Sequence, residues 1–259
     1  MAQALPRTHL NSSRLVRVLA GLGVTDLPEA KQSAAEKLGD WLGLGDALSL
    51  YSALHAVPAG ASERRSAAGE SAVAADAARR EFERVKAALA GAIIGNGRLK
   101  AGRSRIEWPT QAPQASAESA PDFAPYHQFC LGHQRDMTSG VAALRTSVRA
   151  ALSGRSPALG RLAALDVVLE QVLTPRERAL LATVPMLLGK RFEQLFRDHL
   201  TARADADTAD DPVCWIEPGG WLAVFRDDMR TVLLAELELR LQPVAGLIAA
   251  LDNEVTGWQ

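Results

Sequence analysis

A chain of 259 residues with 47% hydrophobic but only 5% aromatic residues is long enough to bury a core, and Ala and Leu must supply most of it. Both are strong helix formers, so an all-α fold is expected. A net charge of −1 argues against a global field that draws the chain to nucleic acid or anionic lipid, and two distant cysteines, Cys130 and Cys214, rule out a disulfide scaffold and suit a reducing compartment.

In chain order, residues 1–10 read as a loose arm. Ser12 or Ser13 caps a short helix with Leu15, Val18, Leu19 and Leu22 on one face, ended by Gly21 and Gly23. Asp26-Leu27-Pro28-Glu29 is a second start signal, for a helix burying Ala34, Leu38 and Trp41. Gly43 and Gly45 break it, and Asp46 caps a third helix carrying Ala47, Leu50 or Tyr51, and Leu54. Residues 1–58 are therefore expected to form a small N-terminal three-helix unit. Residues 59–107 hold a polar linker, an Ala-rich helix over about 71–94 with Phe82, Val85, Leu89 and Ile93 at helical spacing, and a basic tail. Residues 108–121 carry Pro109, Pro113 and Pro121 among Ala, Ser and Gln, a composition expected to stay disordered, and the main boundary is placed there.

Residues 122–259 are expected to form a bundle of about four long helices. Tyr126, Cys130, His133, Met137, Leu144, Val148 and Leu152 mark the first, with Gly140 as a weak point. Leu162, Leu165, Leu169 and Val172 form a second stripe, which Thr174-Pro175 with Glu177 should stop, opening the next helix as in a capping box. That helix carries Leu181, Val184, Leu188, Phe192, Leu195 and His199, should kink at Pro185, and should fold back on its predecessor. The acidic run Ala202 to Pro212 reads as an exposed loop. Pro218-Gly219-Gly220 precedes a last helix with Leu222, Phe225, Met229, Val232 and Leu233, which Pro243 should bend or split before Leu247, Ile248 and Leu251. No apolar stretch approaches the roughly 20 residues that a membrane span needs, which points to a cytoplasmic protein without a span.

Chemistry is nearly silent. His127-x-x-Cys130-x-x-His133 has metal-ligand residue types, but on a helix its outer histidines diverge and no second pair is visible, so no metal or cofactor is expected. No P-loop, GxSxG or dinucleotide fingerprint occurs. Trp215 and Trp221 flank a loop, where two amphipathic rings either pack the bundle or form a contact hot spot; packing is the simpler reading. As partner-binding candidates the sequence offers Trp215, Trp221, Phe225 and Trp258. Arg98, Lys100, Arg103 and Arg105 form the most basic short run and are the candidates for phosphate or nucleic-acid contact.

Several stretches resemble an uncharacterised bacterial family annotated only as a domain of unknown function. They are Pro6-Arg7-Thr8, Leu15-Val16-Arg17, Lys31 through Leu42, Asp46-Ala47, Leu173 through Arg178 and Lys190 through Glu193. The resemblance carries no catalytic residue. It implies genes beside those for a MotA/ExbB-like inner-membrane protein and an OmpA-like peptidoglycan-binding protein, and so a cytoplasmic accessory of an envelope assembly. The leading expectation is a non-enzymatic helical adaptor with a protein partner. The alternatives are nucleic-acid binding through Arg98 to Arg105, and an enzyme with an unfamiliar helical site around His133 and His199.

Overall fold

The computed structural model describes residues 13–25, 43–55, 68–95, 108–109, 121–206 and 211–256. Among these the fold is all-α, as the composition requires: α1 (Arg14–Gly21), α2 (Leu44–His55), α3 (Ala68–Ile94), α4 (Ala124–Ser153), α5 (Pro157–Leu181), α6 (Val184–Ala206) and α7 (Trp221–Thr256). The second expected helix, with Ala34, Leu38 and Trp41, lies outside the described residues, as do residues 110–120 of the Pro/Ala/Ser-rich linker and residues 207–210 of the acidic run.

The organising element is α7. Its 36 residues make a helix about 54 Å long, and α1, α3, α4, α5 and α6 all pack against it. Leu222, Phe225, Met229, Val232, Leu233, Leu237, Leu241, Val244, Leu247 and Leu251 are buried along it. The expected apolar stripe is present at full length, and Pro243 lies inside one continuous helix rather than splitting it. On α4 the buried residues include Tyr126, Cys130, His133, Met137, Leu144, Val148 and Leu152, matching the spacing read from the sequence. Gly140 is a close approach rather than a weak point: a Cβ there would lie 3.4 Å from Leu89 Cδ1 of α3.

The N-terminal helices do not stand apart. Leu15 and Leu19 of α1 and Ile93 of α3 belong to the same buried cluster as the α4–α7 residues, and Arg14 pairs with Glu238 of α7. Arg79 of α3 pairs with Asp252 of α7 at 2.6 Å. Trp108, placed in the linker by composition, is buried against Phe129, with ring centres 4.2 Å apart.

The expected break at Thr174-Pro175 is about two turns too early. Helix α5 begins at Pro157, behind the Ser156 cap that accepts from Leu159 N at 3.3 Å, and runs through Pro175 to Leu181. Pro175 is exposed, so its ring projects towards solvent, and the Thr174 hydroxyl bonds back to the Glu170 carbonyl at 2.6 Å. The turn falls at Ala182-Thr183, and Pro185 occupies the first turn of α6, where a missing N–H costs nothing. The two helices do not lie side by side: α5 packs on α2 and α4, and α6 on α7 and α4.

Candidate functional site: an ion-paired cleft between α4 and α5

Helices α4 and α5 are joined by the short turn after Ser153, which sets them next to each other with opposite directions. Arg145 and Arg149 stand one turn apart on α4, and Asp166 and Glu170 one turn apart on α5, so each pair shares a face. The faces meet. Arg145 donates from Nη2 to Asp166 Oδ1 at 2.6 Å and from Nε to Oδ2 at 2.8 Å, a two-bond fork. Arg149 Nε donates to the same Oδ2 at 2.8 Å and its Nη2 reaches Glu170. Burial works against the charge on Arg145, but the bonds and charge of Asp166, helped by Glu170 and Glu177, outweigh it and hold the guanidinium pKa above its ordinary value.

A second charged group comes from α7. Glu236 is completely buried and accepts from Arg240 Nε at 2.9 Å and Nη2 at 2.8 Å, one turn along the same helix. Gln134 of α4 donates to it at 3.0 Å and also to the Leu181 carbonyl at 3.0 Å, in the last turn of α5. Arg240 Nη1 reaches Glu177 of α5 and Thr138 of α4, both at 3.3 Å. One arginine therefore joins three helices.

Between these braces lies an open cleft of about 600 Å³. Its α4 wall includes His127, Leu131, Gln134, Thr138, Ala142 and Arg145, and its α5 wall Glu170, Thr174, Glu177 and Leu181. Arg135 and Arg178 also line it and are exposed. Pro185 lines the end nearest the α5–α6 turn. The cleft holds hydrogen-bonding and apolar groups, but among the described residues no three His, Cys, Asp or Glu side chains are placed to hold a metal ion.

The sequence candidates fall elsewhere. Trp215, Trp221 and Phe225 are buried, at 2%, 6% and 0% exposure, so their rings are packing residues and present no outward contact surface. Trp221 lies 5.5 Å from Trp215 and 5.2 Å, edge-on, from Phe192, which in turn meets Phe225 at 5.0 Å. The physical reason is a doubled-back loop: the Trp215 carbonyl accepts from the Leu222 and Ala223 amides at 3.1 and 3.0 Å, closing the first turn of α7 and drawing the ring inwards. Trp258, Arg98, Lys100, Arg103 and Arg105 lie outside the described residues.

His133 and His199 are not brought into one cavity. His133 packs edge-on to Phe129 at 4.4 Å, whereas His199 lies beside Trp215 and Trp221, and neither lines the cleft. Burial lowers the His133 pKa to about 4. Cys130 sits in the same stripe, and burial, with the charge of Glu236, pushes its thiol up to about 12, which leaves it protonated and unreactive at neutral pH. His127 lines the cleft while Cys130 and His133 are buried.

Sequence reasoning passed over Arg145, Arg149, Asp166, Glu170, Glu236 and Arg240. A signal was present. Glu236 follows Met229 by seven residues and Leu233 by three, which puts a carboxylate squarely on the buried stripe. A charge in that register needs a buried partner, and Arg240 is four residues on.

Among the described residues no helix is long and apolar enough to cross a membrane. No curated protein and no solved structure matches the chain. Residues 1–253 match a family described as protein of unknown function (DUF3348), and the chain belongs to that family.

Proposed function

We propose that the protein is a non-enzymatic helical adaptor that docks a protein partner along the α4–α5 cleft. The observation that carries this reading is a long cleft that stays open although its walls are braced by the Asp166 and Arg240 ion pairs. Apolar side chains lie uncovered where it ends: Leu180 and Met186, next in sequence to the lining residues Leu181 and Pro185, are 60% and 56% exposed. Isolated exposed leucines mean little, but an apolar group at the mouth of a mixed cleft is the usual make-up of a docking site. Its proposed site of action is the cytoplasmic side of an inner-membrane assembly, which the resemblance noted from the sequence implies.

The test is site-specific photo-cross-linking in cells, with the probe at Ser139 in the cleft or at Arg80 on the exposed side of α3. A discrete adduct from Ser139 that is absent from Arg80 supports docking at the cleft. No adduct from Ser139, or the same adducts from both positions, overturns it.

A further inference from the structure

We propose that the occupant of the cleft is an acidic amphipathic helix of a partner protein, an inference that rests on the docking reading above. Shape is the first ground. The α4 wall runs from His127 to Arg145 through Leu131, Gln134, Thr138 and Ala142, in steps of four and three residues. These residues follow one stripe of the helix for five turns, about 27 Å at 1.5 Å per residue, with Thr138 and Ala142 exposed midway along it. A compact small molecule fills a fraction of such a length, whereas a helix of four to five turns laid along it matches the whole.

Chemistry is the second ground. Apolar Leu131, Val141, Leu181 and Pro185 give the cleft an interior that suits the apolar stripe of an incoming helix. The charged residues are of two kinds. Arg145 and Arg240 are already committed to Asp166, Glu236 and Glu177. Arg135 and Arg178 line the same cleft, are exposed, and make no ion pair among the described residues. The uncommitted charge at the cleft is therefore positive. A helix with Asp or Glu flanking its apolar stripe meets these guanidinium groups, and a basic helix is repelled by them.

The experiment uses the full-length protein carrying the photo-probe at Ser139 and identifies the cross-linked partner peptide by mass spectrometry. The expected peptide is net acidic, with apolar residues at steps of three and four. The same peptide made synthetically should bind the full chain, and binding should fall at least tenfold in Arg135→Glu/Arg178→Glu. Arg135→Gln/Arg178→Gln, which only neutralises the charges, should lie in between, and circular dichroism verifies that both variants stay folded. Absence of any adduct overturns the docking reading and this inference together. A basic or non-helical peptide, a small-molecule adduct, an adduct between two copies of this chain, or binding unchanged in both double variants overturns this inference alone.

Discussion

The Arg230 guanidinium lies over the Trp108 ring, 4.5 Å from its centre, and Arg226, one turn earlier on α7, donates to the Pro109 carbonyl at 2.7 Å. On its other side Trp108 tilts against Phe129 of α4. Two residues that composition assigns to a disordered linker are thus clamped between α4 and α7. Trp108→Ala is expected to cost about 3–5 kcal/mol, the usual range for emptying a buried aromatic site, and Arg230→Met about 1 kcal/mol through the lost cation–π contact. Trp108→Phe should be milder, because the indole N–H is buried without an acceptor and its removal costs nothing. Urea unfolding of the three variants checks the order; a Trp108→Ala protein as stable as the parent would show that the clamp holds nothing.

Asp166 accepts hydrogen bonds from both Arg145 and Arg149. Replacing it with Asn keeps the shape and removes the charge, leaving two largely buried guanidinium groups short of a partner. Breaking a buried ion pair from one side costs about 3–5 kcal/mol, so Asp166→Asn should lower the thermal midpoint by many degrees. Replacing the three with apolar residues, Arg145→Met/Arg149→Leu/Asp166→Leu, should restore most of the loss, since the carboxylate then left without these arginines, Glu170, is 29% exposed and reaches water. If the triple variant is no more stable than Asp166→Asn, the cost lies in shape rather than charge.

How much of this was legible in the sequence depends on what each feature answers to. The stripes of α4 and α7 are local patterns that the core respects, and they stand where the spacing put them. Thr174-Pro175-x-Glu177 and Thr183-Val184-Pro185 both pair a threonine with a proline inside an apolar run, and local rules favour the first as the break. Tertiary contacts decide otherwise: α5 is held on both sides of Pro175, by Arg145 and Arg149 at Asp166 and Glu170, and by Arg240 at Glu177 and Gln134 at the Leu181 carbonyl. The cleft was invisible for a related reason. Its charged residues come from three helices, and nothing in one helix announces which arginine of another will face it. For Trp215 and Trp221 packing was the simpler reading and both rings are buried, but a ring beside a loop looks the same in sequence whether the loop points its carbonyl into the next helix or away from it.

That loop makes a sharp contrast between two glycines. A Cβ on Gly220 would lie 2.2 Å from the Cys214 carbonyl oxygen and 2.5 Å from that of Trp215, both backbone atoms with nowhere to go. Gly220→Ala must therefore displace the loop and break the Trp215 carbonyl cap on α7, for a loss of about 2–3 kcal/mol. On α4, the Cβ added by Gly140→Ala meets only the flexible tip of Leu89 at 3.4 Å, and the gain in helix propensity, up to about 1 kcal/mol, makes it neutral or stabilising. Thermal denaturation of both variants reads the difference directly. Equal midpoints would mean that the loop yields without cost.

Acid should weaken the fold through His133. The ring is buried beside Phe129, its Nε2 has no hydrogen-bond partner, and burial lowers its pKa from 6.5 to about 4. A histidine whose folded pKa is depressed binds its proton more readily in the unfolded chain. Stability is therefore unaffected by this group above pH 6.5, falls as the pH drops below 6.5, and stops falling near pH 4, where the folded protein protonates as well. Within that window the loss is about 1.4 kcal/mol per pH unit. The expected result is a urea midpoint that declines from pH 6.5 to pH 4.5 in the parent protein and declines distinctly less in His133→Leu, which keeps the site apolar and cannot take up a proton. Parallel pH profiles for the two proteins would assign the acid sensitivity to other groups and show that the His133 ring is not held away from water.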